Sequence, residues 1–194
     1  MIVTDLDGTF TNDYHNLNRE NIEAVEYARK KGIIVCAVTA RNWNMAKWIV
    51  RAGGFDRYCV TDNGASIIDT QKEERVVCHS IDPVDLKIIL QACLKAQTRV
   101  DVFTSHFSVT YSKNTLWGTF HDEAYLSRLQ EDEHDVVYLC DTMEEILEKV
   151  GNEAELVSIH AGDDGELPDY FFRDIIQTGE LSLTSSHYGC LDIM

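Results

Sequence analysis

The chain has 194 residues, 33 of them acidic and 17 basic, so its formal net charge at pH 7 is −16. Aliphatic, aromatic and sulfur-containing residues make up 44% of the chain, a share typical of globular proteins and too high for a disordered one. No apolar run approaches the roughly 20 residues that a membrane-spanning helix needs. The acidic charge argues against nucleic acid and anionic membranes as partners, because both carry charge of the same sign.

Six cysteines are spread along the chain without a Cys-x-x-Cys pair. Most lie inside apolar runs, as Cys36 does within Ile34–Val38. We therefore predict buried free thiols in a reduced compartment rather than a disulfide or zinc framework. A secretory signal begins with a basic region followed by an apolar one, whereas this chain has the acids Asp5 and Asp7 near its start. We therefore expect a cytoplasmic protein.

The first seventy residues alternate predicted strands and helices. Strands are expected over Ile2–Asp5, Ile33–Val38 and Tyr58–Thr61, and helices over Asn18–Lys31 and Asn42–Ala52. The central strand is a continuous apolar run, which is typical of a strand covered on both faces. This order with short loops predicts a parallel sheet with right-handed crossovers. In such sheets ligands bind beyond the carboxyl ends of the strands.

The pattern changes near Asp69–Arg75, and a mixed arrangement of helices and strands follows. We therefore expect an α/β unit over residues 1–72 and an α+β unit over residues 73–194. Asp82 and Pro83 mark the start of the first helix of the second unit. The elements predicted there are helices over Pro83–Gln97, Asp122–Gln130, Thr142–Val150 and Leu167–Gln177, and strands over Arg99–Thr104, Phe107–Ser112, Asp135–Cys140, Ala154–His160, Glu180–Thr184 and Gly189–Ile193.

The strongest chemical signal lies at the end of the first strand, in Asp5-Leu6-Asp7-Gly8-Thr9. Gly8 permits a tight turn with positive φ, after which the amides of the loop can face a phosphate. The carboxylate of Asp5 can attack phosphorus, and Asp7 can protonate the leaving oxygen and later deprotonate water. Two carboxylates repel a phosphate dianion, so we expect Mg²⁺ to screen Asp5 and Asp7, because this ion suits oxygen ligands and keeps some of its water.

Three motifs together resemble the haloacid dehalogenase (HAD) superfamily of aspartate-nucleophile phosphatases, in particular its Cof-like branch. They are Asp5–Thr9, Thr39–Arg41 and Thr61–Ala65, each at the end of a predicted strand and in the order of the family. The first motif alone could be an exposed acidic turn or a calcium loop. It lacks the further ligands and the closing Glu of an EF-hand, so the strand context and the two later motifs favour the phosphatase-type site.

The resemblance implies roles for the two later motifs. Thr39 would hydrogen-bond the phosphoryl group, and the less favoured alternative is that it is the N-cap of the next helix. Ala40 replaces the usual glycine, which is tolerated where φ stays negative. Arg41 would either supplement phosphate binding, with Gly8 and Thr9, or pair with a surface acid. Asn63 is expected in the cleft, although Asn-Gly is also a common turn.

The resemblance extends to the second unit, whose element order is that of the large α+β cap inserted in a Rossmann-like core. In the family the chain then returns to the core and supplies a lysine and a late acidic motif. Lys113 and Lys149 lie inside the cap pattern, and Gly162-Asp163-Asp164 has the wrong spacing of downstream acids. The resemblance therefore implies a core that is incomplete at its C-terminus, and it leaves open whether the 194-residue form is active.

The function expected from the motifs and the resemblance is that of a Mg²⁺-dependent phosphatase working through an aspartyl phosphate. Small phosphorylated metabolites, above all sugar phosphates, are the expected substrates. Two alternatives stay open at this point: a phosphomutase of the same fold, and a catalytically inactive binding module. The oligomeric state is unknown, and self-association through the open edge of an incomplete core would be possible.

Overall fold

The computed structural model describes residues 1–13, 16–111, 136–161, 166–175, 181–185 and 189–194. Their strands form two large sheets and one small hairpin. In this described part of the chain, no helix is long and apolar enough to cross a membrane. The helices are α1 (Arg19–Lys30), α2 (Trp43–Gly53), α3 (Pro83–Ala96), α4 (Met143–Val150) and α5 (Asp169–Ile175).

The first sheet has five strands, and its first three run parallel as the sequence predicts. Two further strands extend it in antiparallel fashion. In spatial order the strands are β1 (Ile2–Asp5), β4 (Val35–Val38), β5 (Tyr58–Thr61), β6 (Ser66–Asp69) and β7 (Glu74–Cys78). The separate hairpin consists of β2 (Thr11–Asp13) and β3 (Asn16–Leu17).

The carboxyl ends of β1, β4 and β5 are brought level by the register of the sheet. Asp5 pairs with Val38, and Val38 pairs with Val60. The residues that follow each strand therefore emerge at one edge, about 5 Å apart from strand to strand. Two asparagine caps fix the helices between the strands: Asn18 accepts the amide of Glu20 at 2.9 Å in α1, and Asn42 caps α2.

The hairpin of β6 and β7 is absent from the prediction. The carboxylate of Asp69 accepts the amide of Gln71 at 3.2 Å, which forms a turn that reverses the chain. Because β7 belongs to the first sheet, that sheet extends past the expected boundary between residues 72 and 73. We propose that the two units divide after Cys78.

The second sheet has six described strands, with α3, α4 and α5 packed on one face. The hydrophobic core between the sheet and these helices includes Leu86, Val102, Ile146, Val157 and Phe171, all at most 1% exposed. Of the predicted elements, helix Asp122–Gln130 lies outside the described residues. In spatial order the strands are β10 (Val137–Cys140), β9 (Ser108–Tyr111), β8 (Arg99–Phe103), β11 (Leu156–His160), β13 (Cys190–Ile193) and β12 (Leu183–Thr184).

All six cysteines are free thiols, as predicted. Burial was predicted for them as well, and it holds for four: Cys59, Cys93, Cys140 and Cys190. Cys36 is half-buried, and Cys78 is exposed because β7 is the outermost strand of the first sheet.

Candidate active site

Asp5 lies exposed at the carboxyl end of β1, and the loop after it turns back sharply. The hydroxyl of Thr9 donates a hydrogen bond of 3.0 Å to Oδ2 of Asp5. Gly8 has a φ of +72°, as predicted, and no atom lies within 4 Å of the position that a Cβ would take there. The glycine is therefore required for backbone conformation, not for space.

The loop amides do not face outward as expected. Those of Thr9, Phe10 and Thr11 all donate to the carbonyl of Leu6, at 3.3, 2.9 and 2.9 Å. The expectation that the amides after Gly8 face an anion is therefore wrong for this conformation. The loop instead forms a compact turn whose side chains, rather than its amides, line the strand ends.

Arg41 binds Asp7 through two parallel hydrogen bonds. Its Nε donates to Oδ2 and its Nη2 to Oδ1 of Asp7, both at 2.8 Å. The side chain of Arg41 is only 5% exposed and that of Asp7 28%. Of the two expectations for Arg41, pairing with an acid is the one observed, but the acid is the predicted general acid rather than a remote surface residue.

Thr39 is buried at the end of β4, and its hydroxyl oxygen accepts the amide of Arg41 at 3.1 Å. The N-cap of α2 is Asn42, whose side chain accepts the amide of Met45. The alternative role of Thr39 as that N-cap is therefore wrong. Ala40 is exposed and does not have a positive φ, so it is compatible with the turn as expected.

Asn63 lies just beyond β5 in a short 3₁₀ turn and has a φ of +52°. Its Nδ2 donates to Oδ2 of Asp192 on β13 at 3.1 Å. The strand ends of the first sheet are therefore in contact with the second sheet. A second link is the amide of Asn44, which donates to the carbonyl of Ser105 at 3.1 Å.

Asp192 belongs to a row of polar side chains that crosses four strands of the second sheet. Cross-strand pairing aligns Thr110 with Asp101, Asp101 with Ser158, and Ser158 with Asp192. The hydroxyl of Thr110 donates to Asp101 at 2.5 Å, and that of Ser158 donates to Asp192 at 2.8 Å. Each of the four is at most 8% exposed.

Sequence reasoning missed this polar row, although its signal is present in the chain. On β8, Asp101 lies between Val100 and Val102, and on β11 Ser158 lies between two apolar residues. Because side chains of a strand alternate between faces, those apolar neighbours point to the helices and the polar residues point to the opposite face. A buried sheet face composed of polar residues indicates a surface for a polar ligand or for the other unit.

A cationic group adjoins the polar row. Nη2 of Arg99 lies 2.8 Å and Nε2 of His160 lies 3.4 Å from Oδ2 of Asp101. Burial alone would lower the pKa of His160, but interactions with Asp101 and Cys190 outweigh it and raise the pKa to about 9. For the acid Asp101, burial acts in the opposite direction and would raise the pKa. Its neighbours, above all His160, outweigh burial and bring the pKa of Asp101 below its usual value.

The groups at the strand ends that could hold a cation are the carboxylate of Asp5 and the main-chain oxygen of Asp7. Oδ2 of Asp5 accepts from Thr9, and the carboxylate of Asp7 is bound to Arg41. Within the described ranges, no group of three or more His, Cys, Asp or Glu side chains could hold a metal ion. This small donor set fits Mg²⁺, which takes one or two carboxylates and fills its octahedron with water and substrate oxygens.

Comparison with known sequences identifies relatives of this chain. The profile of the family described as haloacid dehalogenase-like hydrolase matches residues 2–194. A protein of Buchnera aphidicola subsp. Baizongia pistaciae (strain Bp), provisionally named a phosphatase, is 31% identical over 94 residues. That match covers 48% of this chain and spans only 35% of the relative's length.

Solved structures share the fold at low identity. A HAD subclass IIB sugar phosphatase gives a TM-score of 0.72 at 16% identity, covering 100% of this chain and 68% of that one. Hydrolases of the haloacid dehalogenase-like type from Bacteroides thetaiotaomicron and B. subtilis give TM-scores of 0.74 and 0.75, with 16% and 21% identity. The match to the Bacteroides structure covers 100% of this chain and 70% of the other, and the match to the B. subtilis structure covers 99% of this chain and 72% of the other. Because the family profile spans residues 2–194, the chain belongs to the haloacid dehalogenase-like hydrolase family.

Proposed function

We propose that this protein is a Mg²⁺-dependent phosphatase that hydrolyses small phosphorylated metabolites through an aspartyl phosphate. The observation that carries the proposal is the arrangement at the strand ends of the first sheet. There an exposed Asp5 follows β1, and the next acid in the loop, Asp7, is bound by Arg41 from the end of β4. Family membership agrees with hydrolysis.

The two aspartates differ in environment, which supports different roles. One oxygen of Asp5 accepts from Thr9, and the residue is exposed, so its carboxylate can approach a phosphorus atom. As the new O–P bond forms, the bond from phosphorus to the leaving oxygen breaks. Asp7 gives a proton to that oxygen and then takes one from the water that hydrolyses the aspartyl phosphate.

Arg41 holds Asp7 in place between these steps. For Asp7 to carry a proton, one of its oxygens must give up a hydrogen bond to Arg41. The guanidinium can then donate to a phosphoryl oxygen, because arginine binds phosphates and carboxylates in the same geometry. When bound, Mg²⁺ supplies positive charge that screens Asp5 from the phosphate dianion. Its protein ligands would be the carboxylate of Asp5 and the main-chain oxygen of Asp7.

The polar row supports a substrate rich in hydroxyl groups. Asp101 and Asp192 offer acceptors, and Thr110 and Ser158 are hydroxyls that can accept or donate. Asn63 links Asp192 to the strand ends where Asp5 lies. Sugar phosphates combine such hydroxyls with a phosphate, and one of the structural neighbours is a sugar phosphatase. In this role the second unit is a cap over the first.

A panel of phosphate monoesters, sugar phosphates included, tests the proposal with the natural full-length protein and Mg²⁺. We expect phosphate release that Asp5→Asn abolishes and that Glu23→Gln, on the exposed surface of α1, leaves unchanged. No release from any ester, or full release by Asp5→Asn, would contradict the proposal. Transfer of phosphate from a bisphosphorylated sugar to a second sugar, instead of to water, would identify a mutase.

A further inference from the structure

A buried pair of acids joins the two sheets. Asp62 follows β5 in the first sheet, and Glu155 directly precedes β11 in the second. Both residues are 0% exposed. Thr61 pairs with Ser66, whose hydroxyl binds Glu155, so the carboxyl groups of Asp62 and Glu155 are neighbours. Two ionised carboxylates buried side by side repel each other strongly, so such a pair needs either a proton or a cation.

Glu155 has a donor on each oxygen. The hydroxyl of Ser66 donates to Oε2 at 2.6 Å, and Nη1 of Arg75 donates to Oε1 at 2.5 Å. Both donors belong to the first sheet, and the charge of Arg75 balances one negative charge. Glu155 is therefore the member of the pair whose charge is balanced by a cation.

Asp62 has the opposite environment. Both of its carboxylate oxygens are buried, and no donor, the nearby hydroxyl of Thr61 included, reaches either of them with the geometry of a hydrogen bond. Its backbone is fully used, because its amide donates to Arg41 and its carbonyl accepts from Ala65. A carboxylic acid in this position would need no donor on its hydroxyl oxygen, since that oxygen itself donates to Glu155.

We propose that Asp62 is a positioning residue that carries a proton and donates it in a hydrogen bond to Glu155. This bond fixes the turn that holds Asn63, and with it the contact between Asn63 and Asp192 that brings the polar row to the strand ends. Loss of the proton would set two negative charges against each other at the junction of the sheets and loosen that junction.

The surroundings of Asp62 agree with a protonated acid. Burial raises its pKa well above the usual value, and the charge and hydrogen bond of Glu155 raise it further, while the hydroxyl of Thr61 acts to lower it. The charged and titratable groups around the pair are Glu155, Arg75, Cys78 and Cys59, with Glu153 behind Arg75.

Infrared spectroscopy tests the proton directly. At neutral pH the protein should show the carbonyl stretch of a protonated carboxylic acid. Asp62→Asn should lose this band, and Asp69→Asn should keep it, because Asp69 is bound to Arg57 and has a pKa below its usual value. An unchanged band in Asp62→Asn would overturn the proposal.

Glu155→Gln provides a second, independent variant. Its neutral side chain no longer offers the carboxylate that accepts the proton of Asp62, while burial still favours the acid, so the carbonyl band should move in frequency. A band at an unchanged frequency in Glu155→Gln would contradict the proposal even if Asp62→Asn failed to fold.

The pH dependence of the melting temperature tests whether the protonation of Asp62 stabilises the protein. Because the pKa of Asp62 is higher in the folded protein than in the unfolded chain, its protonation stabilises the fold most fully below the unfolded pKa. This stabilisation is lost as the pH rises towards the folded pKa. The melting temperature of Asp62→Asn, relative to the parent protein, should therefore rise by several degrees between about pH 5 and about pH 8. A constant difference would contradict the proposal. So would a Mg²⁺-dependent rise in melting temperature that Asp62→Asn abolishes, since it would show a cation in place of the proton.

Discussion

Arg41 occupies both carboxylate oxygens of Asp7, each through its own hydrogen bond of 2.8 Å. The main chain of Arg41 adds two contacts, because its amide donates to the hydroxyl of Thr39 and its carbonyl accepts the amide of Asp62. One residue therefore ties together the ends of β1, β4 and β5. Its substitution should affect both the stability and the chemistry of the site.

Replacing Arg41 with lysine should lower the free energy of unfolding by about 1–2 kcal/mol, because an ammonium group cannot make the parallel pair of charged hydrogen bonds. Urea unfolding measures the change. Arg19→Lys is the matched control, since Arg19 pairs with Glu23 on the open surface of α1 and its side chain is 91% exposed. That variant should change stability by less than about 0.5 kcal/mol. Equal effects in the two variants would contradict the prediction.

Local sequence patterns predicted the strands and helices of the first unit well. Apolar runs are short-range signals, and for this reason the strands β1 and β5 were predicted with their exact bounds. The hairpin of β6 and β7 was missed because β7 is exposed and carries charged residues at its start, which resembles a loop. Its signal was the turn at Asp69, a residue whose side chain commonly caps reversing chains.

Contacts between distant residues could not be predicted in the same way. Asp7 and Arg41 stood in the correct motifs, yet nothing in either motif shows that the two side chains bind each other. Glu155 is a single acid in the largely apolar segment predicted as the strand Ala154–His160, which signals a buried charge but not its partner. Such partners depend on how the sheets pack, which local spacing does not record.

Gly8→Ala should cost about 1–2 kcal/mol of stability, because the residue has a φ of +72° that alanine adopts only with strain. Gly32→Ala is a close control, with a φ of +77° and equally open space at its Cβ. Both variants should lose similar stability in urea unfolding. Only Gly8→Ala should weaken binding of a phosphate mimic, because only Gly8 lies beside Asp5 and Asp7. Equal binding by both variants would show that the loop does not shape the site.

His160 should give the protein a pH-dependent stability. Its pKa of about 9 in the folded state exceeds the ordinary value of about 6.5, so the contribution is complete below pH 6.5 and is lost as the pH rises through 9. We expect the difference in unfolding free energy between the parent protein and His160→Gln to fall by about 2–3 kcal/mol over this window.

Two controls isolate the contribution of His160. The buried thiols of Cys59 and Cys93 have pKa values raised to about 12, so they also lower stability at alkaline pH. Comparison of the parent protein with His160→Gln cancels that effect, since both retain the thiols. His106→Gln, at an exposed residue between β8 and β9, is the matched substitution and should change the free energy of unfolding little. A parallel course of His160→Gln and the parent protein would contradict the prediction.

Mg²⁺ binding to the 194-residue chain should be weak and should depend mainly on Asp5. The ion needs six oxygens, and the strand ends offer the carboxylate of Asp5 and the main-chain oxygen of Asp7. Asp5→Ala should therefore abolish binding, whereas Asp7→Asn should retain it, because its carbonyl is unchanged. A phosphate mimic should tighten the metal by bridging to it, and the metal should tighten the mimic by the same factor. Isothermal titration with and without the mimic measures both effects. Binding that survives Asp5→Ala would show that the metal lies elsewhere, and a metal affinity that the mimic leaves unchanged would show that the two ligands do not bridge at one site.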